Sequence, residues 1–371
     1  MKRERLLRII GDIDDEFIDE ALIVRNKSYK KLFIGIAACF AVILLISAVV
    51  SFDGELPMLT VKELNDSSGF EGYWFYDIDE FKSANPWSED VRIKKLPVFR
   101  NTYYGYTKDW TVKNPDTEKM EELLFETAKK LDMDTSLITE ALTENENGEC
   151  LAVAEDESYR IEVNSWLILN VTFKKNVLPG SFSVKKGSTY DDLYNSADCL
   201  KILFKDFSDM KKPCIDISKG DYDINKNRVW TISFYDGSGD DCKKIMNYNF
   251  ERVYFYTDEE GRISSASRRY IQGDIIGIYP VIDEKEAIEL LCNGNYLTSV
   301  TDEKPNKERI GKIELIYRNE MTDEVFMPYY KFYVLLETHN NEDLSCYGAY
   351  YVPAVDGKYI RNMPLTDGII N

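Results

Sequence analysis

The chain of 371 residues contains a single histidine, His339, in the polar stretch ETHNNEDL. Histidine is the usual general base near neutral pH and a common zinc ligand. A lone loop histidine therefore argues against histidine-based catalysis and against a histidine-rich zinc site. The sequence also lacks the GxSxG, HExxH, GxGxxG and phosphate-loop patterns. Because no pairing of a nucleophile with a base is visible, we expect a non-enzymatic protein without cofactor or metal.

Cysteine is sparse, and its spacing excludes a disulfide-stapled mini-domain. Of seven cysteines, Cys39 lies in a long apolar run and the other six follow it at wide, irregular intervals, with no CxxC pair. The even number of cysteines after the apolar run permits disulfides, and we expect at most one or two. Each cysteine is better interpreted as a small apolar core residue.

The chain also lacks the positive charge that nucleic-acid binding needs. Lys and Arg number 46 against 65 Asp and Glu, which gives a net charge of −19. Such a surface repels phosphate backbones and anionic headgroups. We therefore expect no nucleic-acid partner, and the acidity serves mainly solubility.

The string that most resembles a metal site is DYDINKN, with oxygen-bearing side chains at Asp221, Asp223, Asn225 and Asn227. A calcium loop of the EF-hand kind requires glycine at its sixth position and glutamate at its twelfth. Lys226 and Ile232 stand there instead. The string is better interpreted as a polar turn between strands.

One long apolar run is present, over residues 32–52, with 21 consecutive uncharged residues. At about 1.5 Å per residue this length matches the roughly 30 Å hydrocarbon core of a bilayer. A cleaved signal peptide and a buried soluble helix are the alternatives, but signal peptides usually have a shorter apolar core. Basic residues precede the run and Asp53 follows it. We therefore predict a single-pass protein of the cell membrane with a cytoplasmic N-terminus and an extracellular C-terminal domain.

Small residues repeat along that run, at Gly35, Ala37, Ala38 and Ala41. Such residues let two helices approach closely, so a homodimer through this face is an open alternative.

Residues 1–31 carry apolar side chains at helical spacing and predict an amphipathic helix or a pair of helices broken at Gly11. Asp14 is placed to cap the helix after that break. We expect its apolar face to bind a cytoplasmic protein, a sigma factor or a kinase, since so short a helix is marginal alone. The alternative is a spacer without a partner. The predicted partner-binding residues are Ile10, Ile13, Phe17, Ile18 and Leu22.

Beyond the run, three rounds of one pattern follow, each a helix and then several strands. The predicted helices are TEKMEELLFETAKKL from near Asp116, YDDLYNSADCLKILFKDF and DEKEAIELLCNG. Aromatic and β-branched runs after each helix predict strands, among them CLAVAED, YRIEVN, WLILNVTF, RVWTISFYD, YYKFYVLLET and CYGAYYVPAV. Turn signals such as DEEG and VDG between the runs indicate antiparallel hairpins.

The predicted fold class is α+β: an N-terminal amphipathic helix, one transmembrane helix, and two or three modules that each lay a helix on an antiparallel sheet. The predicted divisions are a cytoplasmic segment over 1–31, the transmembrane helix over 32–52, an irregular segment over 53–92, and modules over 93–180, 181–275 and 276–371.

Tyrosine is abundant near the C-terminus, in MPYYKFYVLL and CYGAYYV. These side chains could line a ligand groove, although packing of a sheet explains alternating tyrosines more simply. The candidate groove residues are Tyr329, Tyr330, Tyr333, Tyr347 and Tyr350.

The strings IGDIDDEFIDEA and MPYYKFYVLL with YGAYYVPAVDGKYI resemble single-pass membrane proteins of Gram-positive bacteria, Firmicutes, that are treated as anti-sigma-factor-like regulators. YPVIDEKEAIELLCNGNYLTSV with YYKFYV is similar to PepSY-like and YycI-like extracytoplasmic modules. The resemblance implies a regulator with helix-on-sheet modules. Zinc-type anti-sigma domains carry an HxxxCxxC arrangement, which residues 1–31 lack.

Two functions follow as expectations. The first is a membrane-anchored sensor or regulator, anti-sigma-like, that couples an extracytoplasmic domain to a short cytoplasmic protein-binding helix. The alternative is a tethered extracytoplasmic binding or assembly module without cytoplasmic signalling.

Overall fold

The structure is a computed structural model, and it describes residues 55–62, 72–81, 83–102, 115–135, 142–144, 150–178, 184, 188–223, 226–228, 230–258, 260–271, 273–300, 304–320, 323–337 and 344–365.

Five helices lie within these residues: α1 Thr117–Lys130, α2 Tyr190–Leu203, α3 Lys205–Ser208, α4 Asp241–Phe250 and α5 Glu284–Cys292. Local sequence explains where the longer ones begin, because a side-chain oxygen can accept from the otherwise unpaired N–H groups of the first turn. Asp116 caps α1, Asp240 caps α4 and Asp283 caps α5. Thr189 and Asp192 form a reciprocal capping box at α2.

The described residues form sixteen strands: β1 Tyr73–Tyr76, β2 Lys95–Asn101, β3 Leu142–Glu144, β4 Cys150–Glu155, β5 Tyr159–Asn164, β6 Ile168–Phe173, β7 Pro213–Ile217, β8 Asp221–Tyr222, β9 Ile232–Asp236, β10 Val253–Thr257, β11 Ile263–Arg269, β12 Gly273–Pro280, β13 Ile310–Tyr317, β14 Val325–Phe326, β15 Pro328–Leu335 and β16 Ser345–Pro353. They make three antiparallel sheets.

The largest sheet has eight strands, in the order β3-β4-β5-β6-β11-β10-β9-β7. Strands β4 to β6 alternate buried and less buried positions, as strands covered on one face do, whereas β9 is buried at four of its five residues. Helix α1 packs on β4 and β5, and α2 packs on β7 and β9. Leu124, Ile161 and Leu200 lie at the centre of the resulting apolar core.

The five-stranded sheet has the order β13-β15-β16-β1-β8. Nearly every residue of its central strands, β15 and β16, is buried, so both faces of this sheet are covered. Phe332 and Tyr350 belong to the core on one face, where α5 packs on β16. Tyr329 and Tyr351 belong to a separate core on the other face.

The three-stranded sheet, β12-β2-β14, lies beside that second core. An isolated parallel bridge between Leu59 and Ile360 brings the first and last described segments together. Strands distant in sequence meet in all three sheets, since β1 pairs with β16, β2 with β12, and β6 with β11.

The predicted fold class is wrong. Strand accounts for 39% of the structure and helix for 23%, and three antiparallel sheets replace a series of helix-on-sheet modules. Segments 93–180 and 181–275 contribute strands to one eight-stranded sheet, because β6 pairs with β11 instead of ending its own module. The aromatic and β-branched runs outweigh the helical segments, and they pair across the segment limits that the sequence pattern suggested.

The prediction of a single-pass membrane protein is corrected as well. No helix in the described part of the chain is long and apolar enough to cross a membrane. The segment predicted to span, 32–52, and the predicted amphipathic segment, 1–31, lie outside the described residues.

Candidate functional site

A cleft of about 1290 Å³ lies between α5 and the extended segment 87–94, next to one face of the five-stranded sheet. The link between β12 and α5, Val281 to Asp283, forms one end of its floor. Volumes of this order accommodate small ligands or a short peptide segment.

Helix α5 presents carboxylates to the cleft for a reason visible in its sequence. Asp283 caps the helix, since its side chain accepts from the backbone N–H of Glu286 at 2.9 Å. Ala287 and Leu291 are fully buried against the sheet side. Glu286 and Glu289 are exposed, whereas Glu284, three residues before Ala287 on the same helical face, is half-buried.

Two aromatic rings form the floor. The rings of Trp87 and Tyr330 meet edge to face with centroids 5.5 Å apart. The Tyr330 hydroxyl donates to the carbonyl oxygen of Ile282 at 2.9 Å, which holds the ring against the link. Burial raises the pKa of Tyr330 well above its usual range, so this hydroxyl stays a donor. The floor is therefore apolar and fixed.

The walls carry charge of both signs. The acidic lining residues are Glu89, Asp283, Glu284, Glu286, Glu289 and Asp356, and the basic ones are Arg92, Lys94, Lys285 and Lys307. Asp356 pairs with Lys358 at 2.8 Å. Among the described residues, no ion pair joins Glu284, Glu286 or Glu289 to a cation. These three carboxylates are therefore not neutralised by an ion pair among the described residues, although Lys285 of α5 also lines the cleft.

Burial and nearby like charges raise the pKa values of Glu284 and Glu286 on α5. Burial raises the pKa of Glu284 first, and the nearby charges of Glu89 and Asp283 raise it further. Burial also raises the pKa of Glu286, followed by the charges of Asp283 and Asp356. Like charges that repel one another in this way are relieved by a cationic group placed among them.

A second polar cluster lies on the opposite face of the five-stranded sheet. Glu314, buried on β13, accepts from the Ser83 hydroxyl at 2.5 Å and from the Tyr333 hydroxyl at 2.8 Å. Lys312 lies 3.0 Å from the same carboxylate and donates to Ser83 at 3.3 Å. A serine beside a lysine and a glutamate invites comparison with a nucleophile and its base.

The electrostatics of that cluster do not activate the serine. Burial would raise the pKa of Glu314, but Lys312, the Ser83 hydroxyl and Lys331 together lower it. An ionised carboxylate with a lowered pKa is a weak base, and an ammonium group paired with it accepts no proton. The cluster is therefore a satisfied buried ion pair.

The five candidate groove tyrosines do not lie together. Tyr330 and Tyr350 face the core that α5 covers, whereas Tyr329, Tyr333 and Tyr347 face the other side. All five are buried. Of the five, Tyr330 lines the cleft. Alternation along β15 and β16 sends neighbouring tyrosines to opposite faces of the sheet.

The remaining residues singled out in the sequence lie partly outside the described residues. The predicted partner-binding residues, Ile10, Ile13, Phe17, Ile18 and Leu22, lie outside the described residues and stay a prediction. So does His339. In the DYDINKN string, the Asp223 carboxylate accepts from the backbone and side-chain N–H groups of Asn227, at 2.8 and 3.1 Å.

Within the described ranges, no group of three or more acidic, cysteine or histidine side chains could hold a metal ion. The cysteines there, Cys150, Cys199, Cys214, Cys242, Cys292 and Cys346, are free thiols. The permitted disulfides are thus not formed among these six.

Sequence reasoning missed the cleft. The signal that could have found it is the run DEKEAIELL, in which acidic residues are concentrated at the start of α5. Trp87, in the turn-rich SANPWSED, gave no signal, because only the fold places it under α5.

Comparison with known proteins finds no protein-family model that matches the chain and no match among curated proteins.

Proposed function

We propose that the folded part of this chain is a non-enzymatic binding module that takes a cationic, partly apolar segment of a partner protein into the cleft beside α5. The observation that supports this most is the set of carboxylates on α5 above the aromatic floor of Trp87 and Tyr330. Burial, and then the charges of neighbouring carboxylates, raise the pKa values of Glu284 and Glu286. A Lys or Arg side chain would relieve the repulsion, while its apolar neighbours would cover the floor.

The probe is a synthetic 12-residue peptide that alternates lysine with leucine, and its counterpart has glutamate in place of lysine. Tryptophan fluorescence of the full chain is followed during titration, since Trp87 is on the cleft floor. We expect the basic peptide to bind with a Kd of roughly micromolar order and the acidic one not to bind.

Two double variants make the test specific. Glu284→Gln with Glu286→Gln removes charge from the first turn of α5, and we expect binding to weaken about tenfold. Glu118→Gln with Glu121→Gln removes the same charge near the start of α1, away from the cleft. Equal weakening by the two pairs, or binding of both peptides alike, would show that net charge and not the cleft is responsible.

The regulatory function that the N-terminal segment suggests remains a separate proposal. A tagged fusion of residues 1–31 is incubated with cytoplasm of the native host, and bound proteins are identified by mass spectrometry. The control carries Ile13→Asp and Phe17→Asp. A sigma factor or kinase recovered only by the unmodified segment would support it, and identical recovery by both would remove it.

A further inference from the structure

A short strap, residues 83–87, touches both large sheets. Its first residue, Ser83, donates to Glu314 of the five-stranded sheet at 2.5 Å. Its second, Ala84, donates its backbone N–H to Asp216 of the eight-stranded sheet at 2.7 Å. The Tyr235 hydroxyl, also in the eight-stranded sheet, donates to the Ala84 carbonyl oxygen at 2.9 Å. Ala84 is thus held through both its backbone N–H and its carbonyl oxygen.

The anchor in the eight-stranded sheet is itself fixed. Asp216 is buried, and its second carboxylate oxygen pairs with Arg252. The Arg252 guanidinium lies over the rings of Tyr248 and Tyr254, 4.5 and 4.8 Å from their centroids. It also donates to the Ser233 hydroxyl at 2.6 Å. A buried ion pair held by this many contacts moves only if the strands around it move.

The far end of the strap enters the cleft. Asn85 donates its side-chain N–H to the Leu315 carbonyl oxygen at 3.2 Å and accepts the backbone N–H of Trp87 at 3.0 Å. Pro86, between them, fixes its own backbone and restricts that of Asn85. Trp87 then packs on Tyr330. The strap is therefore stiff from the sheet anchor to the cleft floor.

We infer that the strap couples the cleft to the eight-stranded sheet. A displacement of the cleft floor at Trp87 changes the hydrogen bond between Ala84 and Asp216, and a change at Asp216 displaces the cleft floor. The inference rests on the geometry of residues 83–87 and holds whichever ligand the cleft takes. Reciprocity is required, because a coupling free energy acts equally in both directions.

Hydrogen exchange of the full chain, read by mass spectrometry without any ligand, tests it. Tyr235→Phe removes only the hydroxyl that holds Ala84. We expect exchange of the cleft amides of Val91 and Val281, which donate to the carbonyls of Ser88 and Lys94, to accelerate roughly fivefold. Tyr256→Phe, at an exposed tyrosine of β10, is the matched control and should leave these amides unchanged.

The reverse variant is Trp87→Phe, which keeps an aromatic ring on the cleft floor. We expect faster exchange of the Ala84 amide and of peptides that contain β9, while peptides over β4 to β6 stay unchanged. Circular dichroism checks that each variant is folded, and Asp216→Asn replaces Tyr235→Phe if the latter is not. The coupling would be overturned if Tyr235→Phe changed exchange only in the eight-stranded sheet and Trp87→Phe changed it only in the cleft. This outcome is independent of whether the cleft binds the basic peptide.

Discussion

The two large sheets of this protein bury their strands differently. In the eight-stranded sheet, β4 to β6 alternate buried with more exposed residues, whereas β9, which contacts both α2 and α4, is buried along most of its length. In the five-stranded sheet, β15 and β16 are buried along nearly their whole length. A sheet with two covered faces needs apolar or fully paired side chains at every position.

Polar groups inside the five-stranded sheet show how this requirement is met. Lys331 and Glu314 are opposite each other on neighbouring strands and are both buried. The hydroxyls of Tyr317 and Tyr330 donate to backbone carbonyls of Pro97 and Ile282, which come from distant parts of the chain. The comparison teaches that strands covered on one face depend on local pattern, whereas the sheet with two covered faces depends on partners supplied by the tertiary structure.

The largest expected effect comes from placing a carboxylate inside each sheet. Ala349→Asp buries a charge without a prepared partner on β16, and we expect a loss of more than about 4 kcal/mol in the free energy of unfolding. Thr172→Asp places the same charge on the exposed face of β6, opposite Arg160, and should change stability by less than about 0.5 kcal/mol. Chemical denaturation measures both. Similar losses would mean that the two sheets are not buried differently.

The second test removes the charge of Glu314. Glu314→Gln leaves the ammonium groups of Lys312 and Lys331 without their carboxylate, and we expect a loss of about 3 kcal/mol. Because the folded pKa of Glu314 is lowered, its stabilisation is present above the unfolded pKa and is lost as pH falls through the folded value. Urea denaturation between pH 7 and acid should therefore show a smaller pH dependence for the variant. An unchanged pH dependence would contradict this role.

The third test compares the helices that cover the two sheets. Thr189→Ala removes the capping box of α2, and Asp283→Ala removes the cap of α5. We expect each to lower the free energy of unfolding by about 1 kcal/mol, as caps generally do. Thermal unfolding measures the change, and Ser158→Ala, outside any helix, serves as a reference. A much larger effect of Asp283→Ala would indicate that its carboxylate does more than cap.

The smallest expected effect concerns the crowded carboxylates of the cleft. Glu286→Gln should stabilise the fold by a few tenths of a kcal/mol at pH 7, because solvent screens a largely exposed group. The folded pKa of Glu286 is raised, so its ionisation destabilises the fold as pH rises through the interval between the unfolded and folded values. Below that interval the variant and the original chain should be equally stable. A loss of stability at pH 7 would show that Glu286 has a favourable partner.

Local elements of the fold were predictable. The pattern at TEKMEELLFETAKKL predicted a helix from near Asp116, and α1 runs over Thr117–Lys130 with Asp116 as its cap. The runs CLAVAED, YRIEVN and WLILNVTF predicted three strands, which are β4, β5 and β6. Helix α4, Asp241–Phe250, was not among the predicted helices.

The site was much less predictable than the elements. Helix α5 was expected, but its role as the acidic wall of a cleft requires knowing that segment 87–94 lies opposite it. Sequence reasoning grouped Tyr329, Tyr330 and Tyr333 by composition, whereas the pleat of β15 sends Tyr330 to one face and the other two to the opposite face.

By itself, the sequence determined what depends on neighbours a few residues apart: helix starts set by Asp and Thr caps, hairpins set by turn residues, and the acidic charge of the surface. The tertiary structure alone decided that β1 joins β16 and β8 joins β1 across long stretches of chain, that Ser83 meets Glu314, and that Trp87 meets Tyr330. The physical reason is that long-range pairing depends on which buried faces and polar groups can satisfy one another in three dimensions, and many pairings fit the same local pattern.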